Sequence, residues 1–215
     1  MSKEKVFIVG DVHGCLDMLK ELIDKIKWDP SKDRLIFIGD YIDRGENAKS
    51  VIDFILELKD SSSFVQCLLG NHEKMFLDYL SGDDLESSIL NGGLSTIRSY
   101  NKLCMGEDDL LIPQSHVSFF NSLLTMIELE EHYIVHAGFR PFIDIQDQDL
   151  NDMLWIRDEF IHSDYDFGKT VVFGHTPFDL PLMMHNKIGI DTGAVFGNRL
   201  TCLELPEIRF HYVEP

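Results

Sequence analysis

Short apolar, β-branched runs punctuate the chain, and each stops at a turn that carries a polar residue able to bind a ligand, most with a glycine before it. Val6–Val9 precedes Gly10-Asp11, Leu35–Ile38 precedes Gly39-Asp40, and Val65–Leu69 precedes Gly70-Asn71. The pattern returns as Tyr133–Val135 before His136, Val171–Phe173 before Gly174-His175, and Ile188–Ile190 before Asp191. Continuous runs of this length predict buried strands. Between the early runs the period changes. Leu16, Leu19, Ile23 and Ile26 share a helical face, as do Ile52, Ile55 and Leu56. Helices are also predicted over Glu73–Leu80, Leu94–Tyr100 and Gln114–Met126, the last opened by Pro113.

Strand–helix alternation in the first half predicts βαβ units. The later half is richer in strands, with Thr170–Phe173, Ile188–Ile190, Leu200–Leu205 and Ile208–Val213. A mixed α/β fold follows. In such folds the strands' carboxyl ends share one edge of the sheet, where the ligand crevice forms. The polar turns all follow strands, so residues far apart in sequence are expected to meet there.

Composition narrows the picture. At 215 residues, with no repeat or linker, one domain over 1–215 is expected. Hydrophobic content of 44% is too high for a disordered chain. The 19 basic and 37 acidic residues give a charge of −18. That charge argues against nucleic-acid partners and against anionic membrane surfaces. The acidic clusters at Glu107, Asp108 and Asp109 and at Glu128, Glu130 and Glu131 read as solvated surface. Cys15, Cys67, Cys104 and Cys202 are scattered, which suits a reduced, cytoplasmic setting. Val6–Val9 is too short for a signal-peptide core, and no apolar run approaches the roughly 18 residues of a membrane span.

The candidate chemistry sits in the turns. Four of the nine histidines and three aspartates sit there, and Asp, Asn and imidazole together form a mixed oxygen and nitrogen ligand set suited to manganese, iron or zinc. A single Gly-Asp doublet is usually only a turn, and a lone histidine is usually a satisfied polar residue. Five such motifs, each after an apolar run, point to function.

In order, Gly10-Asp11-Val12-His13-Gly14, Gly39-Asp40-Tyr41-Ile42-Asp43-Arg44-Gly45, Gly70-Asn71-His72-Glu73, His136-Ala137-Gly138 and Gly174-His175 resemble a known family. It is that of the metal-dependent phosphoprotein phosphatases, within the calcineurin-like metallophosphoesterases. The likeness runs from Gly10 to Phe196. Leu90-Asn91-Gly92-Gly93 and Ile190–Phe196 are most similar to its compact bacterial and bacteriophage branch, typified by the bacteriophage lambda phosphatase.

The resemblance implies a four-layer α/β/β/α sandwich and two divalent metal ions, manganese first, with iron or zinc as alternatives. Asp11, His13 and Asp40 would hold one ion; Asp40, Asn71, His136 and His175 would hold the other. A hydroxide bridging the two would attack the phosphorus directly, without a phospho-enzyme. His72 would protonate the leaving oxygen as general acid, oriented by Asp43. A competing reading makes Asp43 the N-cap of the helix after Gly45. Arg44 would grip the phosphoryl oxygens. Arg157, in Trp155-Ile156-Arg157, is preferred as the second phosphate-binding arginine over Arg140.

Substrates implied are phosphoserine and phosphothreonine in proteins or peptides, with phosphotyrosine and small phosphoesters also accepted. The main rival is a symmetrical diadenosine tetraphosphate hydrolase of the same fold. Those enzymes usually carry Ala at the position of Asp43 and Asp at that of Glu73, so the protein phosphatase ranks first. A non-catalytic module binding phosphorylated partners ranks last, since no ligand, acid or arginine is missing. Ser163–Thr170 brushes a phosphate-loop pattern but precedes a strand, so it is set aside. His116, His132, His162, His185 and His211 read as structural or exposed, and Cys15 as a packing residue. The segment 81–112 is expected either to cap the site or to pack beside it.

Overall fold

Val6–Val9 forms β1, which pairs in parallel with β2 (Arg34–Phe37), and β2 in parallel with β3 (Val65–Cys67). The intervening helices are α1 (Leu16–Ile26) and α2 (Ala48–Ser61), so the expected βαβ units are present. The chain continues through α3 (Asn71–Ser81), α4 (Leu85–Leu90), α5 (Gly93–Asn101) and α6 (Gln114–Asn121). The second half holds β4 (Met126–Glu128), β5 (His132–Val135), α7 (Leu150–Trp155), α8 (Asp158–Ile161) and β6 (Thr170–Phe173). It ends with β7 (Leu182–Met183), β8 (Lys187–Gly189), β9 (Leu200–Leu205) and β10 (Arg209–Val213). These elements come from a computed structural model that describes residues 4–83, 85–101 and 111–215. Cys104 and the acidic cluster Glu107, Asp108 and Asp109 lie outside the described residues.

Two mixed five-stranded sheets result, with strand orders β10-β9-β1-β2-β3 and β4-β5-β6-β8-β7. Side-chain alternation sorts the strands into layers. Ile8, Ile36, Ile134, Val172, Ile188 and Leu203 turn inward and meet between the sheets. Their neighbours Phe7, Val9, Leu35 and Phe37 face the other way, onto Leu19, Leu22, Val51, Ile52 and Ile55 of α1 and α2. Val135, Val171 and Phe173 likewise cover Met153 and Phe160 of α7 and α8. The order is helix, sheet, sheet, helix, as the resemblance implied. Each fully buried aliphatic side chain contributes roughly 1.5–3 kcal/mol. Burial on both faces also explains why the strands read as unbroken apolar runs.

The helix expected over Gln114–Met126 stops at Asn121, and Met126 opens β4. Backbone pairing decides this. Leu124 donates its N–H to Cys67 O (3.0 Å), and its carbonyl accepts from Leu69 N–H (2.7 Å). Those groups extend beside β3 and are lost to the helix. Where it is described, the segment 81–112 packs beside the site. Along one face of α5, Ser99 Oγ accepts from Lys49 N–H (2.9 Å), and Tyr100 OH bonds His116 Nδ1 (2.9 Å). His116 Nε2 in turn meets Asp53 (2.9 Å), so this histidine is structural. Cys15, Cys67 and Cys202 are free thiols. Among the described residues no helix is long and apolar enough to cross a membrane.

Candidate active site

The loops after β1, β2, β3, β5 and β6 converge at one edge of the two sheets and bring the five motifs together. Asp11, His13, Asp40, Asp43, Asn71, His72, His136 and His175 are all buried. Glycines make the approach close enough. A Cβ on Gly70 would lie 2.2 Å from Asp40 Oδ1, and one on Gly174 would lie 2.2 Å from Asp11 Oδ1. His13, Asp40, Asp43, Arg44 and His175 account for five of the eight described non-glycine residues with positive φ. Left-handed backbone is unfavourable for such residues and persists where surrounding contacts enforce it, commonly at functional sites.

Glu73 supplies much of that enforcement. Its carboxylate accepts N–H bonds from Asp40 (2.8 Å) and Gly70 (3.1 Å) on Oε2, and from Tyr41 (2.9 Å) and Ile42 (3.3 Å) on Oε1. Burial, then the Asp40 carboxylate, pushes its pKa up, and the N–H donors oppose that rise. The motif was legible in sequence, but this task of holding the Asp40 loop was not. A Glu three residues past the helix N-cap was the available signal.

Ligand-type atoms meet in two groups. Those of His13, Asp40 and His72 lie within 4.8 Å of one another, as do those of Asp40, His136 and His175. Asn71 Oδ1 joins the second group, 3.0 Å from His136 Nε2 and 2.9 Å from His175 Nδ1. Asp11 belongs to neither group; its Oδ2 accepts from His175 N–H (3.0 Å), and its Oδ1 is buried without a partner.

These groups fit divalent cations. His13 Nδ1 lies 2.8 Å from Ile42 O, and His136 Nδ1 lies 2.9 Å from Ile38 O. A carbonyl only accepts, so both Nδ1 atoms carry the proton and both Nε2 atoms present lone pairs. Those lone pairs face Asp40 oxygens at 3.4 Å. Acceptors this close, away from water, favour a positive charge among them. The Arg44 guanidinium already lies against His13 Nε2. Burial, then Asp191 and Asp40, raises the Asp11 pKa, and burial pushes His175 down to about 2.

His72, a member of the first group, differs from the site's other histidines in having a carboxylate partner for its Nδ1. Its Nδ1 bonds Asp43 Oδ2 at 2.7 Å, and its buried Nε2 has no partner, 3.9 Å from Asp40 Oδ2. The competing capping role for Asp43 is absent, because Asn47 occupies the N-cap of α2. Arg44 is exposed and lies over the Phe196 ring at 5.6 Å. Arg157 reaches the site edge, where Nη1 donates to His175 O (3.1 Å) and Thr176 Oγ1 (3.2 Å). Arg140 is committed elsewhere. It bonds Asp152 through Nε and Nη2 (2.7 and 2.6 Å) and Glu159 through Nη1 (2.9 Å). A cavity of about 450 Å³ opens between α3 and α7, lined in part by Lys74, Asp78, Asp149 and Trp155. Trp155 meets the His175 ring edge-on at 5.9 Å.

Comparison with known proteins agrees with this geometry. A sequence profile described as calcineurin-like phosphoesterase matches residues 4–209. The chain is 32% identical to serine/threonine-protein phosphatase 1 of Salmonella typhimurium, over 91% of this chain and 89% of that protein. It is 30% identical to an asymmetrical bis(5'-nucleosyl)-tetraphosphatase of Bacillus anthracis, over 95% and 92%. Among solved structures, one ascribed to a diadenosine tetraphosphatase superposes with a TM-score of 0.78 at 21% identity, covering 98% of this chain and 93% of that one. A cold-active protein-tyrosine phosphatase of a Shewanella species superposes with a TM-score of 0.68 at 22% identity, covering 99% and 78%.

Proposed function

The chain belongs to the calcineurin-like phosphoesterase family, and from that premise we propose that residues 1–215 form one catalytic domain of a two-metal protein phosphatase. Its substrates are phosphoserine and phosphothreonine in proteins or peptides, with phosphotyrosine and small phosphoesters accepted. The observation that carries this reading is the buried His72–Asp43 pair at the point where two groups of ligand atoms, one including His72, share Asp40.

Asp11, His13 and Asp40 would hold one divalent ion and Asp40, Asn71, His136 and His175 the other, Asp40 serving both. Manganese is the expected metal, ahead of iron or zinc. Such a pair supplies activated water at neutral pH and neutralises phosphoryl charge. The remaining work falls to side chains. Arg44 offers a planar fork of N–H donors for the phosphoryl oxygens, and Arg157 adds donors beside His175. Asp43 Oδ2 accepts a hydrogen bond from His72 Nδ1–H, which fixes the ring's orientation. His72 Nε2 then delivers a proton to the departing oxygen, a step typically worth about 10²–10⁴ in rate. No side chain is needed as a covalent nucleophile.

A second reading, hydrolysis of dinucleoside tetraphosphates, is favoured by relatives of nearly equal identity that carry that name. Turnover of a phosphoserine peptide, p-nitrophenyl phosphate and diadenosine tetraphosphate, each with added manganese, separates the two. Fast peptide turnover that vanishes in Asp40→Asn supports the phosphatase. Faster dinucleotide cleavage moves the function to nucleotide clearance, and phosphate binding with no turnover of any substrate leaves only a binding module.

A further inference from the structure

Asp43 has two carboxylate oxygens, and only one faces His72. The other, Oδ1, accepts from Thr96 Oγ1 at 2.5 Å. The same hydroxyl accepts from Asp43 N–H at 2.9 Å. Thr96 is fully buried, lies on α5 and is 53 residues away in sequence. One side chain therefore holds Asp43 from both its backbone and its carboxylate, while Asp43 sits at φ +67°. The surrounding segment reinforces the grip, since Arg44 N–H donates to Gly92 O at 3.3 Å, just ahead of α5. Ser99 and Tyr100, one turn further along the same helical face, anchor α5 to α2 and α6.

The geometry points to Thr96 as a positioning residue for proton delivery to the leaving group. It does not touch substrate. It fixes the Asp43 carboxylate so that Oδ2 meets His72 Nδ1, which aims His72 Nε2 into the site. This rests on the general-acid reading of His72. A hydroxyl is required here because the position must both accept from an N–H and donate to a carboxylate. Valine has nearly the same shape and can do neither.

Supporting partners of this kind typically affect activity by about 10–100-fold. Thr96→Val is expected to lower kcat on a phosphoserine peptide by that factor, with KM and bound metal unchanged. On p-nitrophenyl phosphate, whose leaving group needs little protonation, the loss should stay within about threefold. Thr96→Ser keeps the hydroxyl and should restore peptide turnover, which also tests the idea if the valine variant does not fold.

His72→Asn provides the reference. Alone it should show the same leaving-group dependence, and adding Thr96→Val to it should cause no further loss. Equal losses on both substrates for Thr96→Val, or full activity, overturn the positioning role while leaving the general acid intact. If His72→Asn itself shows no leaving-group dependence, the acid reading fails and this role fails with it. A serine variant as impaired as the valine variant shows that shape, rather than the hydroxyl, matters, and this too overturns the proposal.

Discussion

Replacing Glu73 with glutamine keeps the side chain's shape and removes its charge. In the native structure Oε2 accepts from Asp40 and Gly70, and Oε1 accepts from Tyr41 and Ile42. However the amide is turned, its NH2 group faces two backbone N–H donors that then have no acceptor. A buried donor left unsatisfied costs about 1–3 kcal/mol, so Glu73→Gln should lose roughly 2–6 kcal/mol. That is a large part of a total stability on the order of 5–15 kcal/mol. Urea unfolding of the metal-free protein, followed by tryptophan fluorescence, reads the change directly. With a slope of about 2–3 kcal/mol per M, the midpoint should fall by roughly 0.7–3 M. Because Asp40 is released along with the loop, metal affinity should fall by about 10–100-fold as well. A midpoint within about 0.2 M of the wild type, with metal binding intact, would refute the claim that this carboxylate holds the Asp40 loop in place.

Asp40→Asn should lose both bound metal and activity, measured by elemental analysis and p-nitrophenyl phosphate turnover, because both ligand groups include Asp40. Arg157→Ala should raise KM for phosphoesters in steady-state assays, whereas Arg140→Ala should leave KM unchanged, because Arg140 is taken up by Asp152 and Glu159. Acid should also weaken the edge of the first sheet. Burial opposes ionisation of Glu204, but Lys5 and His211 hold its pKa below the ordinary value. The stability this provides is present above an unfolded pKa of about 4.3 and is lost as pH falls through the lower folded value. Unfolding followed from about pH 6 to pH 3 should therefore show a shallower acid loss in Glu204→Gln than in the wild type.

Much of the fold was legible because two stacked sheets bury their central strands on both faces. Val6–Val9 and Leu200–Leu205 were read with the bounds the structure gives them. The over-long helix at Gln114 has a clear cause: Leu123 and Leu124 continue an apolar helical pattern, but Leu124 spends its backbone groups on Cys67 and Leu69. The two-residue β7 lies below any periodicity. Within the site, a turn with an aspartate allowed two roles for Asp43, and only the distance to His72 separates them. The sequence offered both Arg140 and Arg157 for the second phosphate-binding role; in the structure Asp152 and Glu159 pair with Arg140, whereas Arg157 reaches His175 O. Thr96 carried no signal at all, being one hydroxyl in an amphipathic helix.

By itself the sequence determined the chemistry on offer: strands from unbroken apolar runs, glycines where carboxylates approach backbone, and Asp, Asn and His as candidate ligands. These are local properties, governed by side-chain type and by the backbone within a few residues. Only the tertiary structure decided which of those groups meet. Asp11 touches His175 across 164 residues, and Asp43 touches Thr96 across 53. Such contacts depend on the stacking of two sheets and the docking of α5, which the sum of many weak packing terms selects and no short motif encodes.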